Sequence, residues 1–132
     1  MIQFHLVSPD SIDLTDKDWL EQIPSVKKAD YAKMMAAIEA GEWQLWRLGS
    51  PARGVGVTYG WQGQLFVYYL RGIRLFDTLT KEDLLALARR LGLKGLVCET
   101  SSIGMLKLLK RLGWIPLEEV NGNWTLELPD GQ

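Results

Sequence analysis

Residues 65–114 read LFVYYLRGIRLFDTLTKEDLLALARRLGLKGLVCETSSIGMLKLLKRLGW, and their periodicity decides the fold. The run Gln64 to Leu70 is rich in aromatic and aliphatic residues and predicts a strand. Thr80 is a good helix N-cap, with Glu82 and Asp83 in the first turn behind it. Leu84, Leu87, Ala88 and Leu91 then recur at helical spacing, and Gly92 ends the helix. Leu96 to Cys98 is a short strand too apolar to be half exposed, as in the interior of a parallel sheet. Strand, helix and strand this close together require a right-handed crossover that sets the two strands parallel. Ser101 or Ser102 caps a further helix with Met105, Leu108, Leu109 and Leu112 inward, and Gly113 closes it.

Outward from this block, the N-terminal half predicts a strand over Ile2–Val7, with Ile2, Phe4 and Leu6 on one face. A short helix capped by Thr15 carries Trp19, Leu20 and Ile23 and stops at Pro24. A second helix from about Ser25 carries Tyr31, Met34, Met35 and Ile38 and ends at Gly41. Three strands follow, Trp43–Leu48, Arg53–Tyr59 and Gln64–Leu70, joined by short loops as an antiparallel meander. After the last helix, Ile115–Val120 and Asn123–Leu128 form a hairpin about Asn121-Gly122, the strongest local turn signal in the chain. The expectation is one α/β (α+β) domain over residues 1–132: a mixed, mostly antiparallel sheet with one parallel crossover and about four helices.

Composition narrows the function. The net charge is −1, so the chain lacks the basic footprint of a nucleic-acid binder. No apolar run approaches the roughly 18 residues of a membrane span, and the start of the chain has no secretory pattern. The expected location is the cytoplasm, or a particle assembled there. Cys98, the only cysteine, reads as a core residue, and with a single histidine, His5, no metal site is expected. Six tryptophans are many for 132 residues, and Trp61, set in a glycine-rich turn, is expected at least partly exposed, a feature of contact surfaces. Gly54-Val55-Gly56-Val57-Thr58-Tyr59-Gly60 has the glycines of a nucleotide loop but no helix behind it, so these glycines are read as allowing a bulge or close packing in a bent strand.

The order strand, two helices, three strands, helix, strand, helix, two strands resembles the GNAT fold, that of the Gcn5-related N-acetyltransferases. The segment Gly95 to Trp114 resembles the family's C-terminal pattern at Leu108 and at Gly113-Trp114. The resemblance implies acetyl-CoA bound at a Gln/Arg-x-x-Gly-x-Gly/Ala loop, whose backbone N–H groups hold the diphosphate. Here the three motif positions fall near Gly72, Leu75 and Asp77, and none is of the required type. Asp77, Glu82 and Asp83 would bring negative charge to a diphosphate; one like-charge pair at ~4 Å costs about 4 kcal/mol at an effective dielectric of about 20. Arg71 and Arg74 would offset it. The family's helix tyrosine, general acid for the departing thiolate, aligns with Leu109.

The resemblance therefore leaves two readings. In the first, acyl transfer is lost, no cofactor is bound, and the domain is a protein-binding or assembly module. A narrower resemblance, to short GNAT-like proteins of tailed bacteriophages, rests on Val67-Tyr68-Tyr69-Leu70-Arg71-Gly72 and Ser101-Ser102-Ile103-Gly104. It implies a phage particle component or a host protein as partner. In the second, the chain is an atypical N-acetyltransferase acting on an amine. Tyr68, Tyr69 and Glu99 are then the candidate acid and base groups, and Val67, Tyr69, Arg71 and Arg74 the candidate acetyl-CoA contacts. Neither reading involves nucleic acid or membrane, and a free edge of the meander offers a second copy a place to pair.

Overall fold

A computed structural model describes residues 2–22 and 30–131. The strands are β1 (Phe4–Val7), β2 (Gln44–Leu48), β3 (Gly54–Trp61), β4 (Gln64–Gly72), β5 (Gly95–Thr100), β6 (Ile115–Val120) and β7 (Asn123–Pro129). The helices are α1 (Leu14–Leu20), α2 (Tyr31–Glu39), α3 (Lys81–Arg90) and α4 (Ile103–Arg111). All seven strands form one sheet in the order β1-β2-β3-β4-β5-β7-β6. Every neighbouring pair is antiparallel except β4 and β5, the parallel pair bridged by α3. Both hairpin turns put two residues at positive φ, Gln62-Gly63 and Asn121-Gly122, the geometry whose twist matches the flanking strands.

Two apolar layers cover the sheet. On one face Leu84, Leu87 and Ala88 of α3 and Leu109 of α4 pack on Leu65, Val67, Leu96 and Leu126. On the other, Leu20 of α1 and Met34 and Ile38 of α2 pack on Leu45, Val55, Val57 and Tyr69. Trp46 is almost fully buried, its indole N–H donating to Thr58 Oγ1 at 2.9 Å.

Several expectations are corrected. The N-cap of α1 is Asp13, not Thr15: Asp13 accepts from the Asp16 N–H, and Asp16 accepts in return from the Asp13 N–H. An aspartate three residues after another closes this reciprocal cap as well as the usual Ser/Thr pairing. Leu6 does not share a buried face with Ile2 and Phe4; it is exposed, while Val7 is buried under α1 and α2. As an edge strand, β1 reaches past the cover on the α3 side before it ends. Of the four inward positions expected on α4, Leu109 is buried and Met105 and Leu112 pack half-buried against the core, while Leu106 rather than Leu108 joins them. Ile23, Pro24 and the helix start at Ser25 lie outside the described residues.

Candidate functional site

The parallel join is short. Leu65, Phe66 and Val67 pair with Leu96, Val97 and Cys98, and there the pairing of β4 with β5 stops. β4 continues against β3, and β5 continues against β7. The cause is a bulge: Val57 opposes Tyr69 while its neighbour Thr58 opposes Val67, so Tyr68 is the extra residue on β4. A bulge bends its strand and strengthens the local twist, which carries β4 away from a straight neighbour. Glycine lets β3 follow closely. A Cβ at Gly54 would lie 2.7 Å from Gly72 Cα, and one at Gly56 would lie 2.9 Å from a Leu70 methyl.

The bulge also turns two consecutive side chains to one face. Leu65 and Val67 point to the α3/α4 layer, but Tyr68 and Tyr69 both pack toward the α1/α2 layer. Strict alternation would have set one tyrosine on each face. The strand lengths record the bulge: nine residues of β4 oppose eight of β3 across a two-residue turn.

Between the diverging strands lies a cleft of about 250 Å³. Its floor is apolar, built from Phe76, Leu84, Met105, Leu109 and Trp114, and its walls include Val67, Tyr68, Tyr69, Arg71, Cys98 and Glu99. Past Val67, β4 is paired on one side only, so alternate residues turn their N–H and C=O groups toward the open side. An extended chain could add to that edge.

The candidate acid and base groups converge on this cleft. Tyr69 is buried, and its hydroxyl donates to the Trp19 carbonyl at 3.0 Å, tying β4 to α1. Burial pushes its phenol up in pKa, with Arg71 pulling the other way. Burial also pushes the Tyr68 phenol up, reinforced by the charge of Asp30. Both are neutral donors at ordinary pH rather than bases. Glu99 is exposed at the end of β5 and accepts from Asn123 Nδ2 at 3.4 Å. Leu109 offers no proton, and among the described residues the buried Trp114 indole N–H has no hydrogen-bond partner. An indole is a donor that does not ionise, so it cannot replace a phenol as acid. Cys98 belongs to the buried core, and His5 lies four strands away on β1. Among the described residues no three potential metal ligands gather.

Of the expected cofactor contacts, Val67, Tyr69 and Arg71 line the cleft and Arg74 does not. Arg71 Nε donates to Gln22 Oε1 of the chain just after α1. Arg74 adopts a left-handed backbone (φ 52°), and its exposed guanidinium pairs with Asp77 at 3.2 Å. Part of the loop around it is bonded internally. The N–H groups of Asp77, Thr78 and Leu79 donate to the Arg74 and Leu75 carbonyls, and that of Ile73 donates to the Arg53 carbonyl. At the start of α3 the Thr80 N–H donates to Asp83 Oδ2 at 3.0 Å, and the Asp83 N–H donates to Thr80 Oγ1 at 3.2 Å. A diphosphate cradle needs free N–H groups converging on one point. Here those amides serve the loop itself, and the buried Asp83 carboxylate takes the place of an anion at the helix start. The sequence showed Asp83 as a surface charge near a diphosphate; instead it is the inner half of a reciprocal cap.

No family model and no curated protein matches the sequence. Solved structures do match the fold along nearly its whole length. A Bacillus subtilis acetyltransferase in complex with CoA is 15% identical, with a TM-score of 0.69 over 98% of this chain and 99% of that one. A GNAT family acetyltransferase from Elizabethkingia anophelis with acetyl-CoA bound is 18% identical, with a TM-score of 0.66 over 97% of each chain. This chain has the GNAT fold. A mutant AtaT toxin bound to the C-terminus of the antitoxin AtaR and to acetyl-CoA shares it, at 14% identity and a TM-score of 0.60 over 98% of this chain and 94% of that one. At such identities the likeness is one of architecture. Within that fold this chain has a bulge at Tyr68 and parted strands β4 and β5, and its Asp77 to Thr80 amides are bonded within the loop and the α3 cap.

Proposed function

We propose that this chain is a GNAT-fold protein that binds a protein partner and does not transfer acyl groups. One observation carries the reading: the N–H groups of Asp77, Thr78 and Leu79 bond loop carbonyls and that of Thr80 bonds the buried Asp83 carboxylate, so these four amides are not offered to a CoA diphosphate. Leu109 at the floor of the cleft supports it, since no phenol stands there to protonate a leaving thiolate. The resemblance of the Val67–Gly72 and Ser101–Gly104 stretches to short phage GNAT-like proteins favours a partner in a phage particle or in its host. No helix among the described residues is long and apolar enough to cross a membrane.

Calorimetry with CoA and acetyl-CoA tests the reading. No saturable heat is expected at ligand concentrations of about 1 mM, where a Kd of that size corresponds to about −4 kcal/mol. Micromolar binding would refute it. A second reading, an atypical N-acetyltransferase, is favoured by the open cleft with Tyr68, Tyr69 and Glu99 on its wall. Release of free thiol from acetyl-CoA with an amine panel, above the rate without protein, would establish that reading instead.

A further inference from the structure

A second cavity, of about 300 Å³, opens on the opposite face of the sheet from the helices α3 and α4. Tyr59, Trp61, Phe66 and Tyr68 line one side of it, and the carboxylates Glu99 and Glu118 line the other. The rings form a continuous array. Trp43 stacks on Tyr59 at 4.6 Å, and Tyr59 stacks on Phe66 at 4.8 Å with their planes 10° apart. Tyr68 leans on Trp43 at 4.9 Å. Stacking fixes these side chains before any ligand arrives, so little entropy is lost on binding. Trp61, at 45% exposure, stands at the open side.

The charge in the cavity is of one sign. None of the residues lining it is basic. Among the described residues neither glutamate makes an ion pair, and Glu99 accepts a hydrogen bond from the Asn123 amide. The field of Glu99 is felt by its neighbour: burial first, and then that charge, push the Tyr59 phenol up in pKa. Among the described residues the α1/α2 layer packs over β1 to β4 and none packs over β5, β7 and β6 on this side, which leaves the cavity open to a large molecule.

We propose that this cavity receives an arginine side chain presented by the protein partner. Ring faces attract a cation, and the planar guanidinium both stacks on them and presents paired donors to a carboxylate. Tyr59 has its faces covered by Trp43 and Phe66, so the ring faces left for a planar guanidinium are those of Phe66, Trp61 and Tyr68, with the two carboxylates across the cavity to take its paired donors, a shape that suits it better than the compact lysine ammonium. The identity of the source as a protein rests on the binding reading above. The chemistry of the site does not.

Acetyl-Gly-Arg-Gly-amide is the probe, with the matching citrulline peptide as its uncharged isostere and butylguanidinium as the free cation. The readout is the indole N–H resonance of Trp61 in the full chain. The arginine peptide should shift it saturably in the millimolar range and the citrulline peptide should not. The double variant Glu99→Gln, Glu118→Gln should weaken binding about tenfold while melting with the wild type, since both side chains are exposed. Trp61→Ala, followed by the Trp43 resonance, should weaken it as well. Equal binding of the citrulline peptide, no saturable shift, or indifference to the double glutamate change would overturn the site. Butylguanidinium binding as tightly as the peptide would overturn the protein source. Acetyl-CoA binding in the calorimeter would overturn the earlier reading without touching this site, and a failed arginine titration would leave that reading standing.

Discussion

Replacing Asp16 by alanine should loosen the wall of the cleft from a point on the far side of the sheet. Asp16 is buried in the first turn of α1, and both its oxygens take hydrogen bonds from Arg47 of β2, at 2.9 and 2.7 Å. The same carboxylate accepts from the Asp13 N–H and closes the cap. This pair holds α1 against the sheet, and α1 in turn offers the Trp19 carbonyl to Tyr69. A hydrogen bond to a charged group contributes about 1.5–3 kcal/mol, and a helix cap about 1 kcal/mol. Arg47 is about one-third exposed and regains water when its partner goes, so the ion pair is taken near the low end, about 2 kcal/mol in all. The sum is about 3 kcal/mol, or a fall in Tm of about 10 °C for a chain of this length. Circular dichroism melts of Asp16→Ala, Arg47→Met and the double variant would give the coupling, expected at about 2 kcal/mol. The pH dependence has a definite sign. Burial alone would raise the Asp16 carboxyl, but Arg47 and the Asp13 backbone hold it below the ordinary range. A depressed carboxylate stabilises the fold above its unfolded value, about 4, and loses that contribution as the pH falls through its folded value. The gap between wild type and variant should stay constant from neutral pH to about 5 and close in stronger acid. A melting difference under about 2 °C, zero coupling, or a gap that widens in acid would refute the reasoning.

Tyr69→Phe removes only the hydroxyl donating to Trp19 and should cost about 1 kcal/mol in denaturant unfolding. Gly54→Ala forces a methyl into the β4 backbone at Arg71 and Gly72, and should cost at least about 2 kcal/mol, lowering the yield of folded protein. Tyr59, Tyr68 and Tyr69 all have phenols raised chiefly by burial. An absorbance titration at high pH should show them ionising after a free tyrosine. Their contribution to stability is complete below the ordinary value of about 10 and is lost as the pH rises through the folded values.

The architecture was legible because its signals are local and repeated. Thr80 with Asp83, Gly92, Asn121-Gly122 and the apolar Leu96–Cys98 strand each stand where pattern reasoning puts them. The crossover followed from element order alone. The interior of the site was less legible, because a bulge is a disagreement between two strands and neither strand shows it by itself. Strict alternation sets Tyr68 and Tyr69 on opposite faces, and only the register against β3 shows the bulge that turns both one way. The role of Asp83 was hidden for a similar reason: an acidic residue in a first turn reads as a surface charge, and only the tertiary cover makes it a buried cap. Glu118 was unreadable as a partner of Glu99 because β7 lies between their strands.

Mechanically, the sheet is a book bound at one end. Its two leaves, β1 to β4 and β5 with β7 and β6, share a backbone spine of three residue pairs. A strap from Gln64 to Glu127, at 3.2 Å, reinforces that same end. Tyr68 and Glu99, at the unbound edges, line both the cleft on one side and the aromatic cavity on the other. The same two side chains therefore shape both openings, and a change at Tyr68 or Glu99 alters the walls of each.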